Sequence, residues 1–122
     1  MNLWLAVFVG GGLGSLARFA TGRLVLRMAP AAAFPWATLA ANLLATALLA
    51  WAVLRFQSLA PERSQWHALL AVGFCGGFST MSTFNHENYA LLRDGLTGMA
   101  LLNIVVSVGA GILLFHLFAR SA

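Results

Sequence analysis

The sequence is short of charge and of cysteine, and each shortage excludes a class of protein. Only 8% of its 122 residues are charged and 61% are hydrophobic, whereas a soluble globular domain carries about 25% charged residues. So few charges could not cover the surface of a soluble fold, so we predict an integral membrane protein. The single cysteine, Cys75, excludes an internal disulfide and any cysteine metal cluster.

Lysine is absent, and all seven basic residues are arginines that stand singly between apolar runs. A net charge of +4 can indicate a nucleic-acid-binding protein, but isolated arginines form no basic patch. We therefore predict no nucleic-acid partner and place the arginines at helix ends. The N-terminus also lacks the charged start and cleavage pattern of a signal peptide, so the first apolar run is expected to remain as a span.

Four apolar runs approach the roughly 20 residues that a helix needs to cross a bilayer. They predict an all-α membrane protein with one integral membrane domain, residues 1–122, and spans at about 2–26, 36–56, 66–92 and 99–119. The connections between them are the loops RMAPAAAFP, QSLAPERSQ and RDGLTG. Pro35 suits the first turn of the second helix, because the first amides of a helix lack partners anyway.

The arginines are balanced between the two predicted sides of the membrane. Arg18 falls within the first span, and the others divide three against three: Arg55, Arg63 and Arg120 against Arg23, Arg27 and Arg93. Orientation follows the bias of basic residues between the two sides, so a balanced chain has no strong reason to insert one way up. The balance favours dual topology, with an antiparallel homodimer as its product, over a fixed topology set by something other than charge.

Small residues recur at four-residue spacing in every predicted span. The pairs are Gly10 and Gly14, Ala41 and Ala45, Gly73 and Gly77, and Ser107 and Gly111. Such pairs let helix backbones approach closely in lipid, and four short helices enclose little interior of their own. We therefore expect the chain to dimerise.

The stretch GFCGGFSTMSTFNHE, residues 73–87, is a polar interruption of the third span. Each glycine in a helix interior costs about 1 kcal/mol relative to alanine. A break would free backbone carbonyls, which coordinate cations in transporters. Within the hydrocarbon region, such free groups occur only where they are buried in protein or line a water-filled cavity. The alternative is an unbroken helix, with glycines for tight packing and hydroxyls bonded to their own backbone. The residues alone do not choose between the two.

A helix after the break would carry Thr80, Thr83, Phe84 and Glu87 on one face. Polar residues inside spans usually face a bundle interior or a pathway. This face is rich in hydroxyls and has one aromatic ring and one acid.

Two other spans carry polar residues one helical turn apart, namely Thr38 and Asn42 in the second and Asn103 and Ser107 in the fourth. These side chains offer N–H or O–H donors without bearing charge. Neutral donors suit a small anion, because they replace part of its water shell without holding it as an arginine would. Conduction needs several such weak sites, so that the ion can also leave.

Three stretches of the chain carry a family resemblance: GGGLGSLARF (residues 10–19), PWATLAANLLA (residues 35–45) and GFCGGFSTMSTFNHE (residues 73–87). They resemble the Fluc/CrcB family of bacterial fluoride channels, in which the first is similar to a glycine-rich run that ends in arginine and the second to a Gly-Thr-Leu-x-x-Asn element. The third is similar to the family signature GFCGG-x-[ST]-T-F-S-T-F-S-x-E. That signature is long and specific, and the similarity covers nearly the whole chain.

The resemblance implies a fluoride-selective channel of the bacterial inner membrane that exports fluoride passively, with no enzymatic activity. It also implies a dual-topology antiparallel homodimer with two pores. A central structural Na⁺ would be held by the backbone carbonyls of Gly76 and Ser79 from each chain.

The same resemblance assigns roles to side chains of this sequence. Glu87 would stand at a pore mouth, and Arg18 would be a structural or entrance charge. The pore and its polar track would be lined by Thr38, Asn42, Met81, Ser82, Thr83, Phe84 and Ser107. Met81 departs from the family, since it replaces the first pore phenylalanine; methionine keeps bulk and polarizability but loses the positive ring edge.

A small dual-topology, proton-coupled multidrug exporter is the alternative function. Such a protein needs an acid deep in a span to bind cations and protons. The first span has no acid, and Glu87 is the only acid in any predicted span, so the residues favour the channel.

Overall fold

The computed structural model describes residues 2–55 and 61–121, and the regular structure within these ranges is entirely helical. The α-helices are α1 (Leu3–Met28), α2 (Trp36–Arg55), α3 (Pro61–His67), α4 (Cys75–Phe78), α5 (Met81–Arg93) and α6 (Thr97–Ser121). A π-helical segment, Ala68–Phe74, joins α3 to α4. By length and apolar composition, α1, α2 and α6 could each cross a membrane.

The connection before the third span is shorter than the sequence predicts. Helix α3 begins at Pro61, so the expectation of a loop is wrong for residues 61–65. Proline is favoured at the first position of a helix, where its missing N–H costs nothing. The remainder of that predicted connection, with the last residue of the predicted second span, lies in residues 56–60, outside the described residues.

The third predicted span is broken, but after the glycines rather than at them. Gly73, Gly76 and Gly77 all lie in helical segments. The backbone becomes extended at Ser79 (φ −80°, ψ 159°) and Thr80 (φ −152°, ψ 118°), and α5 starts at the next residue. Helix α5, with 13 residues, is the longest helical piece in this part of the chain.

The glycines allow α1 to lie directly against the π-helical segment and α4. A Cβ atom on Gly10 would overlap the Leu69 carbonyl oxygen, and one on Gly14 would overlap the Phe74 carbonyl oxygen. Gly77 is equally close to α1, because a Cβ there would overlap the Gly11 carbonyl oxygen. Both readings of the glycine-rich stretch are therefore correct in part: the helix is broken, and its glycines also permit tight packing.

These contacts change what the small-residue pairs say about dimerisation. The pairs on α1 and on the third span meet each other within one chain, rather than offering two free surfaces. Ala41 and Ala45 pack around Phe78 in a buried cluster of the same chain, and the site of a Gly111 Cβ lies 3.7 Å from Thr46 Cγ2. A dimer must therefore be argued from other features.

Helices α5 and α6 are joined by a tight turn that ends α5 in a Schellman motif. Leu96 N–H donates to Leu91 C=O (2.8 Å), and Gly95 N–H donates to Leu92 C=O (3.1 Å). Gly95 has φ 80°, a conformation that glycine adopts without the steric cost of a side chain. The turn brings α6 back against α5 and α2.

The close approach of α1 predicts that Gly14→Ala will destabilise the fold. The added methyl group would meet the Phe74 carbonyl and lie 2.9 Å from the Phe78 nitrogen. Overpacking of this kind costs about 1–3 kcal/mol, and backbone atoms cannot rotate away as a side chain would. Thermal unfolding of the purified protein in detergent should therefore show a lower midpoint for this variant.

Gly12→Ala is the matched control, since nothing lies within 4 Å of a Cβ at that position. Alanine there should be neutral or stabilising by up to about 1 kcal/mol. Equal midpoints for the two variants would contradict the packing described for α1.

Candidate functional site

The break between α4 and α5 is held by one side chain of α2. Asn42 Oδ1 accepts a hydrogen bond from the Thr80 N–H (2.7 Å), and Asn42 Nδ2 donates to the Thr80 carbonyl (3.3 Å). Both polar groups of the extended residue are thus paired with a side-chain amide. A buried backbone group without a partner costs about 1–3 kcal/mol, so this pairing permits the chain to be non-helical there.

The same hydrogen bonds leave two carbonyls without their usual helical partners. In a continuous helix Thr80 N–H would donate to Gly76 C=O, but here it donates to Asn42. Likewise Thr83 N–H would donate to Ser79 C=O, but it donates to the Thr80 hydroxyl (3.3 Å), which caps α5. Gly76 and Ser79 are the two residues that the resemblance assigns to a sodium site.

Arg18 of α1 also contacts the broken segment. Its Nε donates to the Gly77 carbonyl (3.3 Å), and its side chain is half-buried. This bond ties α1 to the end of α4 and leaves the other guanidinium nitrogens available. Arg18 therefore has a structural contact and also faces a cavity.

Most of the predicted site residues divide among three cavities, whereas Gly76 and Ser82 line none of them. The first, which we call the break cavity, has a volume of about 290 Å³ and is lined by Asn42, Thr46, Ser79, Thr80, Met81, Phe84, Ser107 and Val108. The second, the arginine cavity, has a volume of about 210 Å³, and its polar lining residues are Arg18, Arg23, Thr38, Thr80 and Thr83. The third, the carboxylate cavity, has a volume of about 400 Å³ and is lined in part by His86, Glu87 and Asp94.

The three cavities are neighbours that share lining residues. Thr80 lines both the break cavity and the arginine cavity. Leu26 and Ala37 line both the arginine cavity and the carboxylate cavity. The Thr38 side chain lies next to the Glu87 carboxylate, so a polar side chain stands at that junction too. The arrangement is a row of three neighbouring cavities, of which the break cavity and the arginine cavity border the broken segment.

Most hydroxyl donors of the break cavity are already used within the chain. Thr46 Oγ1 donates to the Asn42 carbonyl (2.7 Å), Ser79 Oγ to the Cys75 carbonyl (2.8 Å), and Ser107 Oγ to Asn103 Oδ1 (3.1 Å). Asn42 Nδ2 has a second N–H that takes no part in these bonds. The cavity is therefore polar but offers few free donors at once.

The two residues at the family's phenylalanine positions differ in exposure. Phe84 is 7% exposed and Met81 is 69% exposed, although both line the break cavity. Ser82 is exposed, but its hydroxyl lies 3.4 Å from Thr80 Oγ1, which in turn donates to Thr83 Oγ1 (3.2 Å). Thr80 therefore connects Ser82 with Thr83 at the start of α5.

The sequence patterns missed Asn88. This residue is 6% exposed and accepts a hydrogen bond from the fully buried Asn103 (2.9 Å). The spacing in the sequence could have indicated this residue, since Asn88 lies four residues after Phe84 and so shares its helix face. The prediction stopped at Glu87 because the family signature ends there.

Comparison with known proteins identifies the chain's relatives. Residues 5–118 match the family model described as CrcB-like protein, Camphor Resistance (CrcB). The chain belongs to the CrcB family.

Three curated members of this family, from Salmonella arizonae, Salmonella paratyphi B and Salmonella newport, are each 39% identical over 127 aligned positions. The alignment covers 100% of this chain and 98% of each relative, and each relative is named fluoride-specific ion channel FluC. As a member of a family of ion channels, the chain is not an enzyme. Its apolar helices and these relatives together make it a multi-pass membrane protein.

The role of Asn42 at the break predicts a stability loss in Asn42→Ala. This change removes the acceptor for Thr80 N–H and the donor to Thr80 C=O, and an unsatisfied buried group costs about 1–3 kcal/mol. Thermal unfolding in detergent should show a lower midpoint. Thr46→Val is the control, because the Thr46 hydroxyl only adds a second bond to a carbonyl of its own helix; a larger loss in Thr46→Val than in Asn42→Ala would contradict the assignment.

Proposed function

We propose that this chain is a fluoride-selective ion channel that lets F⁻ leave the cytoplasm passively. The observation that carries the proposal is the break cavity, lined by uncharged side chains beside the Asn42–Thr80 pair, and its junction at Thr80 with a cavity that contains two arginines. The family relatives named fluoride-specific ion channels support the same function.

The scarcity of free donors in the break cavity suits conduction. An anion that enters must exchange its water shell for protein donors, and it must later return to water. Conduction therefore requires sites that are favourable enough to enter but weak enough to leave. The free N–H of Asn42 offers an uncharged donor of this kind.

The arginine cavity supplies the attraction that the break cavity lacks. Arg18 is anchored to the Gly77 carbonyl, and the Arg23 guanidinium lies over the Phe19 ring, 5.9 Å from its centre. Cavities lined by one sign of charge raise the local concentration of counter-ions. Positive charge therefore gathers the anion beside the break, and neutral donors pass it on.

Fluoride export needs no coupling ion or nucleotide. In acidic surroundings fluoride enters as neutral HF, ionises in the less acidic cytoplasm and accumulates there. An inside-negative potential then drives the anion outward by about 2.3 kcal/mol per charge per 100 mV. This role places the protein in the bacterial inner membrane.

The first test is efflux from liposomes that contain the purified protein, followed with fluoride and chloride electrodes in parallel. We expect rapid loss of fluoride without loss of chloride. Asn42→Ala and Phe84→Ala should each abolish fluoride efflux while the protein keeps its oligomeric state. Normal flux in both variants would reject the pore assignment.

Met81→Phe belongs in the same experiment, because it restores the family's first pore phenylalanine. Fluoride efflux from the unaltered chain would show that a thioether serves at position 81. Fluoride efflux from the Met81→Phe variant but not from the unaltered chain would show that Met81 blocks the pore. If neither protein releases fluoride although both are well folded, the result would favour the proton-coupled exporter, with Glu87 as its acid.

The exposed side of α5 supports the further proposal that two copies form an antiparallel dimer. Ser82, Asn85 and His86 are exposed there, beside Met81 and Tyr89 at 69% and 63% exposure. Polar side chains that face lipid are unfavourable, so a second copy is needed to cover this stripe. Covering it would also close the break cavity around Met81, and two such cavities give two pores per dimer.

The freed carbonyls support a structural Na⁺ between the two copies. Na⁺ is a hard cation that suits carbonyl oxygens, and the Gly76 and Ser79 carbonyls lack the amides that they would bind in a continuous helix. Gly76 is also exposed, so its carbonyl is near a surface that a partner can reach. When bound, the ion would neutralise carbonyl dipoles that converge from both copies, and it would not move with fluoride.

This arrangement predicts an antiparallel dimer that depends on Na⁺. Replacing Na⁺ by a large organic cation should lower the thermal midpoint in detergent and shift the protein from dimer to monomer on a sizing column, because the carbonyls would repel one another. An unchanged elution volume without Na⁺ would reject the ion's structural role.

The orientation is tested with Ala31→Cys, an exposed position in the loop between α1 and α2. A membrane-impermeant thiol reagent added outside cells should label roughly half of the molecules if insertion is unbiased. Labelling of nearly all or nearly none would show a single orientation. The native Cys75 is buried, and the unaltered chain reports its background.

A further inference from the structure

A buried chain of hydrogen bonds leads from the break cavity into the interface between α5 and α6. Ser107, in the cavity wall, donates its hydroxyl proton to Asn103 Oδ1 (3.1 Å), and Asn103 Nδ2 donates to Asn88 Oδ1 (2.9 Å). Asn103 is 0% exposed and Asn88 is 6% exposed. Two amides are costly to bury, and a contact between two helices of one chain could be made by apolar residues at lower cost.

The chain points the Ser107 proton away from the cavity. A hydroxyl that donates to Asn103 presents only its lone pairs to the cavity, and lone pairs repel an anion. Thr46 and Ser79 also donate away from the cavity, but their acceptors are carbonyls of the fixed backbone. The acceptor of Ser107 is a side-chain amide, whose terminal torsion is broad and roughly two-fold.

Turning both amides by half a rotation preserves the hydrogen bonds of the chain. Asn103 Nδ2 would then donate to Ser107 Oγ, and Asn88 Nδ2 would donate to Asn103 Oδ1. Each state of the chain contains two hydrogen bonds, since each amide has both a donor end and an acceptor end. The turned state also frees the Ser107 proton to point into the break cavity.

We propose that Asn88 and Asn103 are positioning residues that set the direction of the Ser107 hydroxyl proton, so that Ser107 becomes an anion donor only when an anion occupies the break cavity. This inference rests on the proposed fluoride channel and concerns residues outside its pore signature. The anion draws the Ser107 proton toward itself, and the two amides follow. When the anion leaves, they return, which keeps the site weak between ions.

Asn88→Asp tests the proposal, because an ionised aspartate can only accept hydrogen bonds. Asn103 must then donate to residue 88, its Oδ1 must face Ser107, and the Ser107 proton stays turned away from the cavity. We expect fluoride efflux from liposomes at mildly alkaline pH to fall roughly tenfold, the effect of losing about one hydrogen bond. Ser107→Ala should cause a similar fall.

Asn88→Leu separates positioning from structural support. Leucine removes the hydrogen bond from Asn103 but leaves the Asn103 amide free to turn. If the pair directs the proton, Asn88→Leu should reduce efflux less than Asn88→Asp does. If Asn88 only supports the packing, the fall in efflux should follow the fall in thermal midpoint across the Asn88→Asp and Asn88→Leu variants, and that correlation would overturn the proposal.

The new negative charge of Asn88→Asp could itself lower fluoride efflux by repulsion. The double variant Asn88→Asp with Ser107→Ala distinguishes this effect from an action through Ser107. If Asn88 acts through Ser107, the double variant should match Ser107→Ala within about twofold, because interacting residues are not additive. If the charge simply repels fluoride, the aspartate should lower efflux by the same factor in both backgrounds, and the proposal fails. Absence of fluoride efflux from the unaltered chain would instead overturn the channel function itself.

Discussion

The pairing of one asparagine with one backbone residue is the interaction on which the rest of this structure depends. Asn42 accepts from Thr80 N–H and donates to Thr80 C=O, which lets the third span stop being helical inside a membrane protein. Because Thr80 N–H is taken by Asn42, the Gly76 carbonyl is released. Because Thr80 then caps α5 through its hydroxyl, the Ser79 carbonyl is released as well.

Close packing of backbones holds this broken segment in position. Gly10 and Gly14 bring α1 against the π-helical segment and α4 with no space for a side chain between them. Arg18 then reaches the Gly77 carbonyl from the same helix. The glycines therefore serve the site indirectly: they place a positive charge and a rigid helix beside a stretch of backbone that is not helical.

Uncharged polar groups govern the cavities, and their hydrogen-bond directions matter more than their number. Several hydroxyls line the break cavity, yet Thr46, Ser79 and Ser107 each donate elsewhere within the chain. Counting polar residues would overestimate how strongly such a cavity holds an anion. Conduction requires sites that an anion can enter and can also leave.

The sequence by itself determined the membrane setting, the helical class and the location of the polar interruption, because composition and the length of apolar runs depend on the solvent around a helix rather than on its neighbours. The family resemblance also pointed to Asn42, Met81, Phe84 and Ser107, which line one cavity. Only the tertiary structure decided that the break falls at Ser79 and Thr80, that the glycine pairs meet within the chain, and that Asn88 joins Asn103. Each of these depends on which atoms from distant parts of the chain come into contact, and the spacing of residues along one helix carries no information about the helix that packs against it.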